Sequence, residues 1–207
     1  MCLSVQRLSS VHRREVVQVL DDSFRDYPVM RFVLSDAGER YDAHLTALND
    51  FFCDRRLADG GWVLGVRVDG ELAGVAVLDA PEDDPGSDPE GHRRRVLRLV
   101  SAIGAGAVER LKIYDAAGDS LTPSGDYHYL GMLGVLERCQ GLGIGRQLVE
   151  ATQELAVASE ISTGVCLHTE TEKNVPLYEH LGFEVVGQAD IAGLTTWCMM
   201  WRVPGRG

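Results

Sequence analysis

Apolar positions along the chain change their spacing several times, and each change marks an element. Residues 4–8 read as a short first strand. Val17, Leu20 and Phe24 recur at i, i+3 and i+7, one face of a helix, which predicts a helix over about residues 10–25. Pro28 interrupts it, because the residue before a proline is pushed out of the helical region. Tyr41, Leu45, Leu48 and Phe52 repeat the helical spacing until the Gly60-Gly61 pair ends it. Two β-rich runs follow, residues 62–68 and 71–78, joined by Asp69-Gly70, the pair that a tight type I′ hairpin turn prefers. Residues 80–91 break the pattern with three prolines and five acidic residues (Glu82, Asp83, Asp84, Asp88, Glu90) and read as a solvated loop. Helical spacing returns over residues 92–114, with a weak point at Gly104-Ala105-Gly106. Its Arg93-Arg94-Arg95 run reads as a solvated basic face, with phosphate binding as the alternative.

The stretch that organises the chain comes next. Residues 129–135 are apolar, carry two glycines and read as a buried strand. Gly141, Gly143 and Gly145 form a turn, and beyond it Ile144, Leu148, Ala151, Leu155 and Ala158 lie on one helix face. Residues 164–168 read as a further strand, 174–181 as a short helix with Pro176 in its first turn, and 183–186 and 195–201 as closing strands. The order predicts an α+β fold, a mixed and mostly antiparallel sheet of six to seven strands flanked by helices, in one domain over residues 1–207.

A strand, a glycine turn and a helix start together make an anion site. The first helical N–H groups lack partners and carry the positive end of the helix dipole, and glycines let a phosphate approach the backbone. Spacing narrows the ligand. A phosphate-binding loop needs Gly-Lys-Ser/Thr, but Gly145 is followed by Arg146-Gln147; G-x-G-x-x-G also fails, its last place falling on Arg146 or Leu148.

Charge adds that a net −11 argues against a general nucleic-acid binder and against anionic membrane surfaces, and is compatible with a cationic substrate. No run approaches the ~18 apolar residues of a membrane span, and the N-terminus lacks a signal-peptide pattern. Cys2, Cys53, Cys139, Cys166 and Cys198 are scattered and form no C-x-x-C, so neither a metal site nor a disulfide framework is indicated, and a cytoplasmic location is expected. Cys139, beside the glycine turn, reads as a small residue that fits there.

Gln140-Gly141-Leu142-Gly143-Ile144-Gly145 resembles the Gln/Arg-x-x-Gly-x-Gly/Ala pattern of the GNAT acyltransferase superfamily. Residues 174–183, with Asn174, Tyr178 and Gly182-Phe183, resemble a second signature of the same superfamily. Within it, Phe24-Arg25-Asp26-Tyr27-Pro28 and Thr196-Trp197-Cys198-Met199 are similar to the puromycin N-acetyltransferase group, which looks to carry a glutamate at the place of His168.

The resemblance implies an N-acetyltransferase. Acetyl-coenzyme A would be the donor, and the acetyl group would pass within a ternary complex directly to a primary amine of a small molecule such as a drug, antibiotic or metabolite. No metal is needed, and a homodimer is compatible with it. The donor's pyrophosphate would lie on Gln140, Gly141, Leu142, Gly143, Ile144, Gly145 and Arg146. Its pantetheine arm would follow Leu133, Gly134 and Val135, with Asn174 and Tyr178 also at the coenzyme. Tyr178 becomes the general acid for the departing thiolate. His168, ending the strand beside the cofactor strand, leads as base for the amine, with Glu170, His128 and Glu172 as reserves. Phe24, Tyr27 and Trp197 are candidates for the acceptor pocket. A protein or peptide N-terminus as acceptor, or a non-catalytic acyl-coenzyme A sensor, are the alternatives.

Overall fold

The computed structural model describes residues 4–58, 61–81 and 88–206; Cys2, Gly60 and the acidic run at 82–84 fall outside the described residues. Strand β1 (Val5–Arg7) leads through a single 3-10 turn into α1 (Arg13–Phe24), followed by α2 (Pro28–Val33) and α3 (Tyr41–Ala58). Pro28 therefore starts a helix as well as ending one, because a first-turn residue has no helical N–H bond to lose. The hairpin β2 (Trp62–Val68) and β3 (Glu71–Asp79) turns at Asp69 (φ 50°) and Gly70 (φ 86°), both left-handed as a type I′ turn requires.

The stretch read as one helical segment over 92–114 is two helices, α4 (Pro89–Ile103) and α5 (Ala105–Leu121). Gly104 separates them at φ 86°, outside helical space, and Asp88 caps α4 by accepting the Gly91 N–H at 2.8 Å. Then come β4 (His128–Val135), α6 (Ile144–Ala158), β5 (Gly164–Thr169), α7 (Val175–His180), β6 (Glu184–Ile191) and β7 (Leu194–Arg202). The closing strands are longer than the sequence pattern indicates. They share a second left-handed turn at Ala192 (φ 54°) and Gly193 (φ 86°), a pair without the usual Asn or Asp signal.

The sheet has seven strands in the order β1-β2-β3-β4-β5-β7-β6, and only β4 and β5 run parallel, so the fold is the expected mixed, mostly antiparallel α+β architecture. On α6 the buried stripe is Ile144, Leu148, Val149, Thr152 and Ala156, while Ala158, expected inside, is exposed. Thr152 was unreadable as a core residue because it is polar; its hydroxyl is satisfied by the Leu148 carbonyl at 2.9 Å. Cys139 is buried beside the turn, as a small residue filling its place.

Three glycines set how closely these layers approach. Gly131 is the extra residue at a register shift between β3 and β4, a bulge. At Gly134 a Cβ would come within 2.5 Å of Ser23 Oγ on α1, and at Gly74 within 2.5 Å of Ile144 Cγ2, the first residue of α6. Gly74 thus lets the start of α6 settle on β3. Gly74→Ala is expected to cost about 1–3 kcal/mol, the usual penalty of overpacking, seen as a lower urea midpoint at unchanged slope. An unchanged midpoint would mean that Ile144 moves aside freely.

Candidate active site

Strands β4 and β5 pair only at His128 with Val165 and at Tyr129 with Cys166; beyond Tyr129 they separate. On its other edge β4 stays paired to β3 through Val135. The backbone of Leu133, Gly134 and Val135 therefore faces the gap with no strand partner on that side, and buried backbone groups demand one. At the end of β4 the chain passes through Gly141 (φ 80°) and Gly143 (φ 79°) into α6, with Gly143 as its N-cap. Nothing lies within 4 Å of where a Cβ at either glycine would be, so these residues supply left-handed backbone and open space together. The first N–H groups of α6, at Ile144, Gly145 and Arg146, have no helical acceptor, the kind of backbone end that can take a phosphate. Gln140 Nε2 donates to the Val135 carbonyl at 3.4 Å, tying turn to strand, and exposed Leu142 flanks the turn. Arg146 Nε is held by Glu150 at 2.7 Å.

A cavity of about 350 Å³ occupies the gap. Phe24, Tyr27, Leu133, His168, Asn174 and Tyr178 all line it, so the two catalytic candidates meet two of the three acceptor candidates there, while Gly134, Val135 and residues 140–146 lie outside its lining. Trp197 does not line it: it sits on β7, paired with Thr169 and Gln188, and packs against the core. Of the reserve bases only Glu170 reaches the cavity. His128 is buried on β4 with Nδ1 3.0 Å from Ser162 Oγ, and Glu172 is exposed. Asn174 precedes α7 without capping it; its Nδ2 donates to Thr169 Oγ1 at 3.3 Å.

Tyr178 is 7% exposed, and its hydroxyl has no hydrogen-bond partner among the described residues. Burial, reinforced by the charge of Glu170, raises its phenol well above the ordinary value, so it keeps its proton. Burial likewise raises the Glu170 carboxyl, against the Tyr114 hydroxyl, which donates to Oε1 at 2.5 Å. The Tyr27 hydroxyl accepts the Glu170 N–H at 3.2 Å.

Around His168 the bonding sets the tautomer. Thr122 Oγ1 donates to the Gly118 carbonyl at 3.0 Å, so it accepts from His168 Nε2–H at 3.1 Å. Nδ1 is then the acceptor, and the Tyr129 hydroxyl donates to it at 3.1 Å. The imidazole lone pair is already engaged.

Several residues of the site gave no signal in the sequence. Arg95, read within a solvated basic face, turns inward to line the cavity at 9% exposure, with Asp88 3.8 Å away. Arg56 also lines it and is bidentate on Asp79, Nε to Oδ1 at 3.0 Å. Tyr114 and Asp115 enter from α5, inside the region where the sequence pattern was weakest.

The model of the acetyltransferase (GNAT) family matches residues 17–183. Among solved structures, a protein titled histone acetyltransferase and related acetyltransferase from Corynebacterium glutamicum is 23% identical, covers 99% of each chain and superposes with a TM-score of 0.72. A polyamine N-acetyltransferase of Drosophila melanogaster, which forms N-acetylagmatine, is 10% identical over 98% of this chain and 100% of its own, at 0.65. Arylalkylamine N-acetyltransferase 2 of Aedes aegypti is 14% identical over 97% and 98%, at 0.64. At these identities the likeness establishes the fold.

Asp115 is exposed at the mouth of the cavity, yet the protein crowded around it, with Asp119 adding repulsion, pushes its carboxyl up to about 6. A carboxyl that holds its proton more tightly folded than unfolded penalises the folded state once ionised. The penalty is present above about pH 6 and disappears as pH falls through the ordinary carboxylate range. Because the carboxyl is exposed and solvent screens its charge, Asp115→Asn is expected to raise the Tm at pH 7.5 by only about 1–2 °C, and the gain should shrink toward zero near pH 4. An equal gain at both pH values would remove the ionisation of Asp115 as its cause.

Proposed function

The chain belongs to the acetyltransferase (GNAT) family, and from that premise we propose that it moves an acetyl group from acetyl-coenzyme A directly to a primary amine of a small molecule. The observation that carries this is the cavity at the β4–β5 gap. It brings a proton donor, Tyr178, and a raised carboxylate, Glu170, beside the unpaired edge of β4. The neighbouring structures titled for polyamine and arylalkylamine acetylation support a small amine as acceptor. A cavity of about 350 Å³ is of a size that suits such a molecule.

The donor would lie with its pyrophosphate on residues 140–146 and its pantetheine arm along Leu133, Gly134 and Val135, reaching Asn174 and Tyr178. No protein nucleophile is required, because the amine attacks the thioester carbonyl once both are held in line. An ammonium near pKa ~10 must first lose a proton. Glu170 takes it: its carboxyl is more basic than usual and lines the cavity. His168 stands behind it, since its acceptor nitrogen is occupied by Tyr129 and a proton reaches it only through that phenol. A backbone N–H of the β4 edge steadies the oxyanion of the tetrahedral intermediate. As the carbon–sulfur bond breaks, Tyr178 gives its proton to the thiolate. Thiol and phenol pKa values of ~8.5 and ~10 start close, and the burial that raises one raises the other. Phe24 and Tyr27, whose rings meet edge to face at 5.1 Å, form the acceptor's apolar wall.

Calorimetric titration with acetyl-coenzyme A tests the donor: no binding removes the reading. With an amine that is turned over, Tyr178→Phe should lower kcat more than about tenfold while leaving coenzyme affinity intact. Glu170→Gln should lower kcat/KM by at least about tenfold at pH 7, against about threefold or less for His168→Gln. The reverse order would return the base to His168.

A further inference from the structure

Resting on that reading, we propose that Asp115 selects acceptors that carry a second cationic group, held beyond the reacting amine in a second cavity that shares a wall with the first. This cavity has a volume of about 550 Å³ and shares four wall residues with the reaction cavity: Tyr114, Asp115, Tyr129 and His168. The two lie on either side of that wall. Asp119 and Asp126 stand farther out, and none of the residues lining the second cavity is Lys or Arg.

The charges around the two cavities are sorted. In the reaction cavity each arginine already faces a carboxylate, Arg56 with Asp79 and Arg95 with Asp88. Neither offers a free cation to an acidic acceptor. On the α5 side the balance is reversed. Asp115, Asp119 and Asp126 have no ion pair among the described residues. Asp115 is exposed but crowded, with Asp119 adding like charge, and its raised pKa records that its ionised form lacks a counter-ion. A ligand cation would offset that cost, and the tyrosine rings of Tyr114, Tyr127 and Tyr129 offer it electron-rich faces.

Of the four shared wall residues Asp115 is the carboxylate, so it is the negative charge that a chain leading away from the reacting amine meets at the wall. The reaction cavity also holds the unpartnered hydroxyl of Tyr178 at its catalytic end. One acceptor would then have its first nitrogen near Tyr178 and Glu170 and its second near Asp115. A monoamine of equal length satisfies only the first. It leaves Asp115 unpaired and puts an apolar chain end among carboxylates, which is how a polar site rejects the analogue lacking its partner group.

The test compares unbranched diamines with 1-aminoalkanes of matching length, from four to ten carbons, on the full chain with saturating acetyl-coenzyme A. The wild-type protein should favour the diamine at the best length by at least about tenfold in kcat/KM. Asp115→Asn should cut that ratio to about threefold or less, and Asp115→Glu, which restores the charge, should recover part of it. Reading the ratio cancels any general loss of activity from altered packing. A wild-type ratio near one at every length overturns the proposal, with no variant needed. So does an Asp115→Asn protein that loses diamine and monoamine activity equally. Calorimetric affinities of the same amines for the coenzyme A-bound protein separate this from the acetyltransferase reading. Tight, Asp115-dependent diamine binding without turnover would support the cation site while sinking the reaction, and turnover without diamine preference would do the opposite.

Discussion

Beyond Tyr129, strand β4 has no partner in β5, although the two run side by side at His128 and Tyr129. A sheet that opens along its middle leaves a row of backbone donors and acceptors that protein does not satisfy, and burial makes such a row expensive. Two local features at the gap come from residues without side chains. The bulge at Gly131 takes β4 out of simple register with β3, and the absence of a Cβ at Gly134 lets α1 press close from one face. The glycine turn into α6 lies at the end of the same strand, and the cavity lies farther back, against Tyr129–Leu133 of β4 and His168 of β5. An extended chain with amide groups, ending in a phosphate, answers both needs at once. The site is therefore a consequence of how the sheet is left incomplete.

Charge is arranged around this opening with the same economy. At the α3–α4 end the cations are held by carboxylates: Arg56 by Asp79, Arg95 near Asp88. At the α5–β5 end Glu170 is embraced by hydroxyls and Asp115 has neither hydrogen bond nor ion pair among the described residues. Burial raises both carboxyls. Within the cavity the raised carboxyls lie at this end, which is where a reaction that begins by deprotonating an ammonium would need negative charge and basicity.

What could be read from the sequence was local. Asp69-Gly70 specified its hairpin, the spacing of Gly141 and Gly143 specified a left-handed turn before a helix, and Tyr178 followed from the signature around Gly182-Phe183. Each depends on neighbours within a few residues. The missed features depend on what lies across the fold. Arg95 belongs to a run of three arginines, and nothing in that run tells which one turns inward; the packing of α4 on α3 decides it. His168 had the right chemistry and the right strand, but its lone pair is spent on Tyr129, 39 positions away and adjacent only through the β4–β5 pairing. Trp197 matched a motif, yet its strand register sets it among core residues outside the cavity. Tyr114 and Asp115 sat in a stretch whose helical period was blurred by glycines, and no local pattern could assign them to a wall.

This division has a physical origin. The features that suit the donor are made of backbone: open strand edge, left-handed glycines and helix N–H groups. Backbone conformation constrains residue type strongly at short range, so a donor site leaves a motif. The acceptor side is made of side chains that converge from α1, α3, α4, α5 and β5, and each of those positions is constrained only by its own partners. Substitutions on α4 or α5 can therefore alter what enters the cavity without disturbing the turn or the edge of β4. A chain of this kind keeps its reaction while its acceptor changes, and the residues at the wall between the two cavities, Asp115 foremost, are where that change has the most leverage.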